Sequence, residues 1–372
     1  MKKIRFIDLN KQYNIIKKHI DYSVMNVIKK NDFILGKQVD LLEHKISNFC
    51  GIKNTIACAN GTDAILLSLM ALDIKANDII FVPSFTFIST AEMVALNKSI
   101  PYFIDINKDT YNINADHVEE NIKFLEKKNK KVKCIICVDL FGCPSDYQRL
   151  EEISKKYKIK LIVDAAQSFG AKYFNKRVGN FGDITTTSFF PSKPLGCFGD
   201  GGAILTNDKK ISEKIRSLKS HGKGKNKYDN IYVGINSRLD TIQAAVLIEK
   251  LKIFSREIKN RNIIANNYTN KLDDNFFTPK IERNIESVWA QYTIIPKNNS
   301  REYFIEKLKK KKIPYGIYYP KPLHLQKAYT KFPRSILGLK NSEFVSRNCF
   351  SLPMHPYLDN EQQEYIIRSL VT

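Results

Sequence analysis

The alternation of short apolar runs with helical patterns is the feature that most restricts what this 372-residue chain can fold into. Strands that alternate with helices form a mostly parallel sheet with helices on both faces, and ligands of such sheets bind beyond the carboxyl ends of the strands. The sequence therefore predicts an α/β fold with a mostly parallel central sheet. After a short apolar run before Asn60, the expected strands lie at residues 79–83, 101–106, 132–142, 159–164, 184–187 and 202–206.

The remainder of the chain predicts a second, smaller unit. A long helical pattern starts at Leu239, residues 287–296 alternate like a strand, and a Lys-rich helical pattern covers residues 301–312. We therefore expect a large α/β domain over residues 1–245 and a small α+β domain over residues 246–372.

The net charge of +22 raises the question of nucleic-acid binding. Most of the basic residues are lysines spread among Asn and Ile, and the two dense runs, Lys127–Lys133 and Lys309–Lys312, contain no interleaved aromatic residues. We interpret both runs as solvated surfaces that also attract an anionic small-molecule substrate. No nucleic-acid partner is expected.

Hydropathy and cysteine usage indicate a cytoplasmic protein. No uncharged apolar run reaches the ~18 residues that span a bilayer, and the basic start MKKIRFIDLN lacks the apolar stretch of a signal peptide. The seven cysteines are scattered and odd in number, which is typical of reduced thiols. Cys134 and Cys137 form a C-x-x-C motif inside an apolar run, so we expect a core role rather than redox or zinc chemistry. We expect neither a membrane partner nor a metal site.

Lys193 lies between Pro191 and Pro194 on a glycine-containing loop that joins the runs 184–187 and 202–206. The two prolines exclude a helix interior. Desolvation between buried strands would favour the neutral, nucleophilic amine, as a Schiff-base lysine requires. A solvated lysine on an ordinary surface loop is the alternative.

Two further features would complete a cofactor site. Gly61 and Thr62 stand where a helical pattern begins, and the free amides and positive dipole end of a helix N-terminus bind phosphate. Asp164 ends an apolar strand, where a carboxylate could keep a ring nitrogen protonated. Ordinary helix capping is the alternative for each. A lysine, a strand-end carboxylate and a phosphate site are together what pyridoxal 5′-phosphate (PLP) chemistry requires.

In this interpretation Lys193 forms the Schiff base with the cofactor aldehyde and later moves the proton between two carbons in a transamination. Asp164 pairs with the pyridine nitrogen, and Phe87 stacks on the ring face unless it is a plain core residue. Phe85 and Phe87 are both expected to be exposed. The expected phosphate contacts are Gly61, Thr62 and Ser188.

Seven stretches resemble the DegT-like sugar aminotransferases, in the order seen in that family. These are PLP enzymes with the aspartate-aminotransferase fold (PLP fold type I), and the resemblance covers essentially the whole chain. It implies a transaminase in which Lys193 is the Schiff-base lysine and Asp164 the partner of the pyridine nitrogen. The stretches are ANGTDA, PSFTF, VDAAQSFGA, SFFPSKPLGCFGDGGA, VGINSRLDTIQAA, YYPKPLHLQ and SLPMHPYL.

The resemblance also implies contacts that the residues alone do not indicate. Gln167 would lie near the ring oxygen of the cofactor. Asn236 would reach the cofactor phosphate of the partner subunit, because the family's active sites are shared across a homodimer. Arg238 would face a carboxylate of L-glutamate or of the sugar, with a surface salt bridge as the alternative.

Within the family, the chain is most similar to enzymes that use L-glutamate to install a 3-amino group on UDP-2-acetamido-2-deoxy-3-oxo-D-glucuronate, on the way to bacterial surface polysaccharides such as O-antigen. It departs from them at Tyr318-Tyr319, where that subgroup tends to carry His-Tyr. Tyr318, Tyr319 and His324 are the candidate sugar contacts, although His324 also suits a packing role. The alternatives are the same chemistry on a 4-keto UDP-N-acetylhexosamine or a 3-keto dTDP-deoxyhexose, and a non-catalytic basic protein that binds polyanions.

Overall fold

Strands and helices alternate as predicted in the computed structural model, which describes residues 3–226 and 228–371. Each strand expected before residue 206 is present, although several are shorter than their apolar runs. The strands are β1 (Asn54–Cys58), β2 (Ile79–Pro83), β3 (Ile100–Ile104), β4 (Val132–Val138), β5 (Lys160–Asp164), β6 (Lys172–Tyr173), β7 (Lys176–Arg177), β8 (Ile184–Ser188), β9 (Gly202–Thr206), β10 (Phe276–Phe277), β11 (Ile285–Glu286), β12 (Tyr292–Pro296) and β13 (Phe350–Leu352).

Helices connect the strands of the sheet, and the ends of several follow local chemistry. Gly51 adopts the left-handed conformation (φ +71°) that ends the second helix, as glycine does without strain. The helices are α1 (Leu9–Lys30), α2 (Lys37–Cys50), α3 (Gly61–Ala71), α4 (Ser89–Leu96), α5 (Ala115–Glu126), α6 (Tyr147–Tyr157), α7 (Lys209–Leu218), α8 (Thr241–Leu272), α9 (Arg301–Lys310), α10 (Lys340–Asn348) and α11 (Asn360–Val371), with short 3-10 helices at Leu140–Gly142 and Leu323–Leu325.

A seven-stranded sheet in the order β1-β9-β8-β5-β4-β2-β3 forms the centre of the large unit. The strands from β8 to β3 pair in parallel, whereas β9 runs antiparallel to both β8 and β1. Gly202 at the start of β9 therefore pairs with Ser188 on one side and with Cys58 on the other. The carboxyl ends of β1, β5 and β8 consequently meet at one edge, where the predicted cofactor residues lie.

Side chains of each central strand alternate between two apolar layers. Ile80 and Val82 pack in one layer with α3 and α4, while Phe81 packs in the other with α2, α5 and α6. The same alternation places Cys134 and Cys137 on opposite faces of β4, because they are an odd number of residues apart. All seven cysteines are free and buried, which confirms the expected core role of the C-x-x-C pair.

A second core follows in the C-terminal part. The three-stranded sheet β10-β12-β13 packs with α9 and α11 around Tyr268, Tyr292 and Phe350. The predicted boundary at residues 245/246 lies within α8, which contributes Phe254 to the first core and Leu272 to the second. The division into two domains stays a prediction. Across the described ranges, no helix is long and apolar enough to cross a membrane.

Asp139 joins three segments at the carboxyl edge of the central sheet. Its fully buried carboxylate accepts hydrogen bonds from the amide of Ser145 (2.9 Å), the hydroxyl of Ser168 (2.6 Å) and the hydroxyl of Tyr147. Its own amide donates to the carbonyl of Asp164 (3.1 Å). Burial raises the pKa of the Asp139 carboxyl to about 6, although these hydrogen bonds act to lower the pKa.

This raised pKa predicts a specific dependence of stability on pH. Because the folded pKa lies above the ordinary value of 3.8, Asp139 contributes stability that is present at low pH and lost as the pH rises to about 6. The free energy of unfolding, measured in urea relative to that of Asp139→Asn, should fall by about 3 kcal/mol over this range. A difference that stays constant with pH would contradict the raised pKa.

Candidate active site

The N-terminus of α3 is built to receive an anion. The side-chain oxygen of Asn60 accepts a hydrogen bond from the amide of Asp63 (2.7 Å). The backbone carbonyl of Asn60 accepts one from the amide of Ala64 (3.1 Å). Gly61 and Thr62 precede these amides in the first turn, where the helix itself offers no acceptor. Their amides and the positive end of the helix dipole are therefore available to a phosphate group.

Ser188 lies directly against this helix N-terminus. A Cβ added to Gly61 would be 2.7 Å from the Cβ of Ser188, and one added to Gly202 would be 2.5 Å from the carbonyl carbon of Asn60. Only glycine permits both approaches. The three predicted phosphate contacts, Gly61, Thr62 and Ser188, are thus brought together in a cradle that fits the phosphate of PLP.

The loop after β8 folds back on itself and carries Lys193. The amide of Phe189 donates to the carbonyl of Gly201 (2.7 Å), and the amide of Cys197 donates to the carbonyl of Phe189 (2.8 Å). Within the loop, the amide of Lys193 donates to the carbonyl of Phe190 (2.8 Å). These bonds make the loop a defined support for the Lys193 side chain.

Lys193 and Asp164 influence each other electrostatically. Burial lowers the pKa of the Lys193 amine, and the Asp164 carboxylate opposes this effect. Burial likewise raises the pKa of Asp164, which is 6% exposed, while the amide of Ala166 (3.0 Å) and the charge of Lys193 act to lower it. Lys193 as a whole is partly exposed, but an amine whose pKa is lowered by burial next to a buried carboxylate argues against the alternative of a fully solvated surface lysine.

Asp164 is not a helix cap. Its hydrogen bond to Ala166 closes a turn, and the next described element is the short strand β6. The capping alternative is therefore wrong for Asp164, whose carboxylate keeps acceptor capacity for a protonated ring nitrogen. For α3 the cap is Asn60, a residue that the sequence analysis did not select, although Asn is a preferred N-cap residue.

Gln167 connects the cofactor side of the site to Tyr319. Its Oε1 accepts the amide of Phe141 (2.7 Å), and its Nε2 donates to the hydroxyl of Tyr319 (3.3 Å). The ring of Phe87 lies 6.2 Å from that of Tyr319 and is 52% exposed, so the core alternative for Phe87 is wrong. Phe85 was expected to be exposed as well, but it is 1% exposed because it packs against Phe141 and Tyr319.

The remaining candidates lie around this centre with different partners. The ring of Tyr318 is 6.0 Å from that of Tyr319. His324 is buried, with Nδ1 2.6 Å from the hydroxyl of Ser84 and Nε2 3.4 Å from Glu343, and burial lowers its pKa. Both ring nitrogens of His324 thus have protein partners, as the packing role expects.

Asn236 and Arg238 are on the segment that leads into α8. Within the described residues, no hydrogen bond or ion pair joins either side chain to Lys193 or Asp164. Arg238 is partly exposed and Asn236 is exposed. Their neighbour Ser237, which the sequence analysis did not select, is buried and accepts the amide of Ala59 (3.1 Å), so this segment is attached next to α3. That contact spans 178 residues, and no local pattern could have indicated it.

Comparison with known proteins agrees with this geometry. A profile of the DegT/DnrJ/EryC1/StrS aminotransferase family matches residues 14–371. The chain belongs to this family. The predicted family and the predicted enzyme class, a transaminase, are confirmed. No group of three or more His, Cys, Asp or Glu side chains in the described part of the chain could hold a metal ion.

Three relatives show how similar the chain is to individual proteins. The chain is 42% identical, over 99% of both chains, to the UDP-2-acetamido-2-deoxy-3-oxo-D-glucuronate aminotransferase of Pseudomonas aeruginosa. It is 44% identical to a crystal structure of a family aminotransferase from Brucella abortus, with a TM-score of 0.97 over 99% of this chain and 98% of that one. It is 29% identical to NtdA from Bacillus subtilis with bound cofactor PMP. The TM-score is 0.90 over 100% of this chain and 85% of the NtdA chain. These structures confirm the predicted fold class.

The close approach of Gly61 to Ser188 predicts an energetic coupling between the two residues. Gly61→Ala forces its Cβ against that of Ser188 and should destabilise the protein by about 1–3 kcal/mol. In the double variant with Ser188→Gly the colliding atom is absent, so part of this loss should be recovered. Urea unfolding of the wild type, both single variants and the double variant measures the coupling. Strictly additive effects would show that the two positions do not collide.

Proposed function

We propose that the protein is a PLP- and L-glutamate-dependent aminotransferase that places an amino group on C3 of UDP-2-acetamido-2-deoxy-3-oxo-D-glucuronate. The observation that carries this proposal is the desolvated Lys193 amine beside buried Asp164, next to the phosphate cradle of Gly61 and Ser188. The choice of sugar is supported by the 42% identical Pseudomonas aeruginosa relative. The cofactor is supported by the family and by the bound PMP in the NtdA structure.

Each residue of the site would have a separate role in transamination. When bound, PLP supplies an electron sink for deprotonation at carbon. Asp164 would hold the pyridine nitrogen protonated, and Gln167 would lie at the ring oxygen. The amides of Gly61 and Thr62 with the hydroxyl of Ser188 would bind the phosphate.

Lys193 would serve as covalent anchor and as proton carrier. Burial gives its amine a larger neutral fraction than a surface lysine has, which suits it to hold the cofactor through its aldehyde. As a free amine, Lys193 would take a proton from one carbon and return it to another. The Asp164 charge limits how far the pKa of Lys193 falls.

The substrate side would be formed by Tyr318 and Tyr319, with Arg238 as the carboxylate partner, while Phe87 would stack on the ring face of the cofactor. Tyr319 contacts both Gln167 and Phe87, so it links the expected ring position to the substrate space. Within residues 3–226 and 228–371, no carboxylate lies within ion-pair distance of Arg238, which leaves its guanidinium for a substrate carboxylate. His324 would act through Ser84 rather than by direct contact with the sugar.

We also infer a cytoplasmic homodimer that serves surface-polysaccharide synthesis. The outer side of α1 is apolar and, with Phe198, lines an open groove of about 810 Å³ that includes Leu9 and Met25. Asn236 follows the strongly exposed Val233 (91%), which supports a contact with the partner's cofactor phosphate. The free, buried cysteines are compatible with a reducing compartment.

The test of this function is product analysis. The purified protein, PLP and L-glutamate are incubated with three keto sugars: the 3-keto UDP-uronate, a 4-keto UDP-N-acetylhexosamine and a 3-keto dTDP-deoxyhexose. The expected product carries its new amine at C3 of the uronate, as located by NMR. Faster turnover of another sugar would overturn the proposed substrate. Absence of 2-oxoglutarate formation with all three sugars would overturn the proposed reaction.

Lys193→Ala should separate folding from chemistry. We expect a folded variant that holds PLP without a covalent bond and transaminates at least about 10²-fold more slowly, since it lacks the proton carrier. Circular dichroism, retention of PLP after borohydride treatment and denaturation, and the rate of 2-oxoglutarate release measure the three properties. Lys209→Ala, a largely exposed lysine of α7, is the matched control and should behave as wild type. Wild-type turnover by Lys193→Ala would refute the assignment.

Arg238→Met should weaken binding of one carboxylate substrate. Loss of a hydrogen bond to a charged group predicts a KM increase of about 10- to 100-fold. KM is measured separately for L-glutamate and for the uronate, and the substrate whose KM rises is the one that Arg238 contacts. Arg347→Met, on an exposed arginine of α10, is the control. Unchanged KM values for both substrates would contradict the role of Arg238.

A further inference from the structure

A second lysine lies beneath the loop that carries Lys193. Lys250, in α8, is 1% exposed. Its Nζ donates a 2.6 Å hydrogen bond to the carbonyl of Gly196 and lies 4.5 Å from the centroid of the Phe198 ring. The amine therefore contacts the backbone of the loop only three residues beyond Lys193, and none of the catalytic roles above uses it.

The environment of Lys250 is unusual for a buried cation. In the described ranges, no carboxylate lies within ion-pair distance of its Nζ. Burial lowers the pKa of the amine to about 8, with Glu257 and Cys197 opposing the effect, so the amine is still mainly protonated at neutral pH. A buried charge is costly unless it is hydrogen-bonded, and here a carbonyl and an aromatic ring provide the compensation.

Gln243 provides a second attachment from the same helix. Its Oε1 accepts the amide of Phe198 (2.8 Å). Gln243 and Lys250 are two helical turns apart and so lie on one side of α8. Between the attached segment and Lys193 stand only Pro194 and Leu195, both buried. Proline fixes φ at Pro194, so the link between Gly196 and Lys193 is short and has one rotatable backbone bond fewer than other residues would give it.

We infer that Lys250 is a positioning residue, which with Gln243 clamps the 196–198 backbone to α8 and thereby sets the position of the Lys193 amine. This inference rests on the proposed role of Lys193 as covalent anchor. Lys250 itself does not reach the cofactor in this role, since its amine is engaged by Gly196 and Phe198. The clamp is distinct from the phosphate cradle, which involves α3 and Ser188.

The test measures the covalent capture of PLP rather than turnover. In the apoprotein, the neutral Lys193 amine adds to the PLP aldehyde, water leaves, and borohydride then reduces the C=N bond to a stable secondary amine that peptide mass spectrometry locates. In Lys250→Met the Gly196 carbonyl loses its donor, and capture should be about tenfold slower. Affinity for PMP, which has no aldehyde, should change less than twofold, because the phosphate cradle is intact.

Matched variants separate positioning from general destabilisation. Lys252→Met makes the same change on an exposed lysine of α8 and should capture PLP at the wild-type rate. Lys250→Arg keeps the charge and the donors and should recover most of the rate. If Lys250→Met does not fold, Gln243→Met tests the same clamp through its other attachment and should also slow capture.

The outcomes distinguish this inference from the proposed function. Capture by Lys250→Met and Gln243→Met at the wild-type rate, with the label on Lys193, would overturn the clamp and leave the function intact. An equal loss of PMP affinity and capture rate would also overturn it, because it would indicate a general structural effect. A wild-type label on another lysine would instead overturn the assignment of Lys193.

Discussion

The site depends on a close backbone approach at the carboxyl edge of the sheet. Gly61, at the start of α3, lies against Ser188 at the end of β8, and Gly202 pairs with Ser188 while passing the carbonyl of Asn60. A methyl group at either glycine would separate these segments. Since the approach exists only when β1, β8 and β9 are all paired, the phosphate cradle is a property of the assembled sheet, and no single motif contains it.

Desolvation is the second constraint, and it acts in opposite directions on the two central groups. It lowers the pKa of Lys193 and raises that of Asp164, and each charge partly offsets the shift of the other. Burial also lowers the pKa of Lys250, which contacts the loop that carries Lys193. The net charge of +22 does not cause these pKa shifts, because most of the lysines of the chain are on the surface. The pKa of the Lys193 amine is set here by burial beside a single carboxylate.

Local patterns predicted most strands of the central sheet and marked the residues proposed for the site. Strand periodicity located β2 to β5, β8 and β9 but not the two-residue strands β6 and β7, and short motifs marked Gly61, Asp164 and Lys193. The exposure of Phe85 was predicted wrongly, because two aromatic residues at alternate positions after a strand do not reveal which one is buried against Phe141. Lys250 was overlooked for a related reason: its partner Gly196 is 54 residues away, and a lysine in a helical pattern is ordinarily solvated.

The antiparallel position of β9 between β1 and β8 affects the order in which the sheet can form during synthesis. Strand β1 is at the sheet edge and pairs with β9 alone, so residues 54–58 have no sheet neighbour until residues 202–206 have been synthesised. The β8–β9 hairpin, in contrast, closes over a short stretch of chain. Once β9 has been synthesised, the lysine loop closes over a short stretch of chain, whereas the cradle requires a contact about 150 residues long in sequence. An N-terminal fragment that ends before β9 would leave β1 unpaired and expose a strand edge open to aggregation.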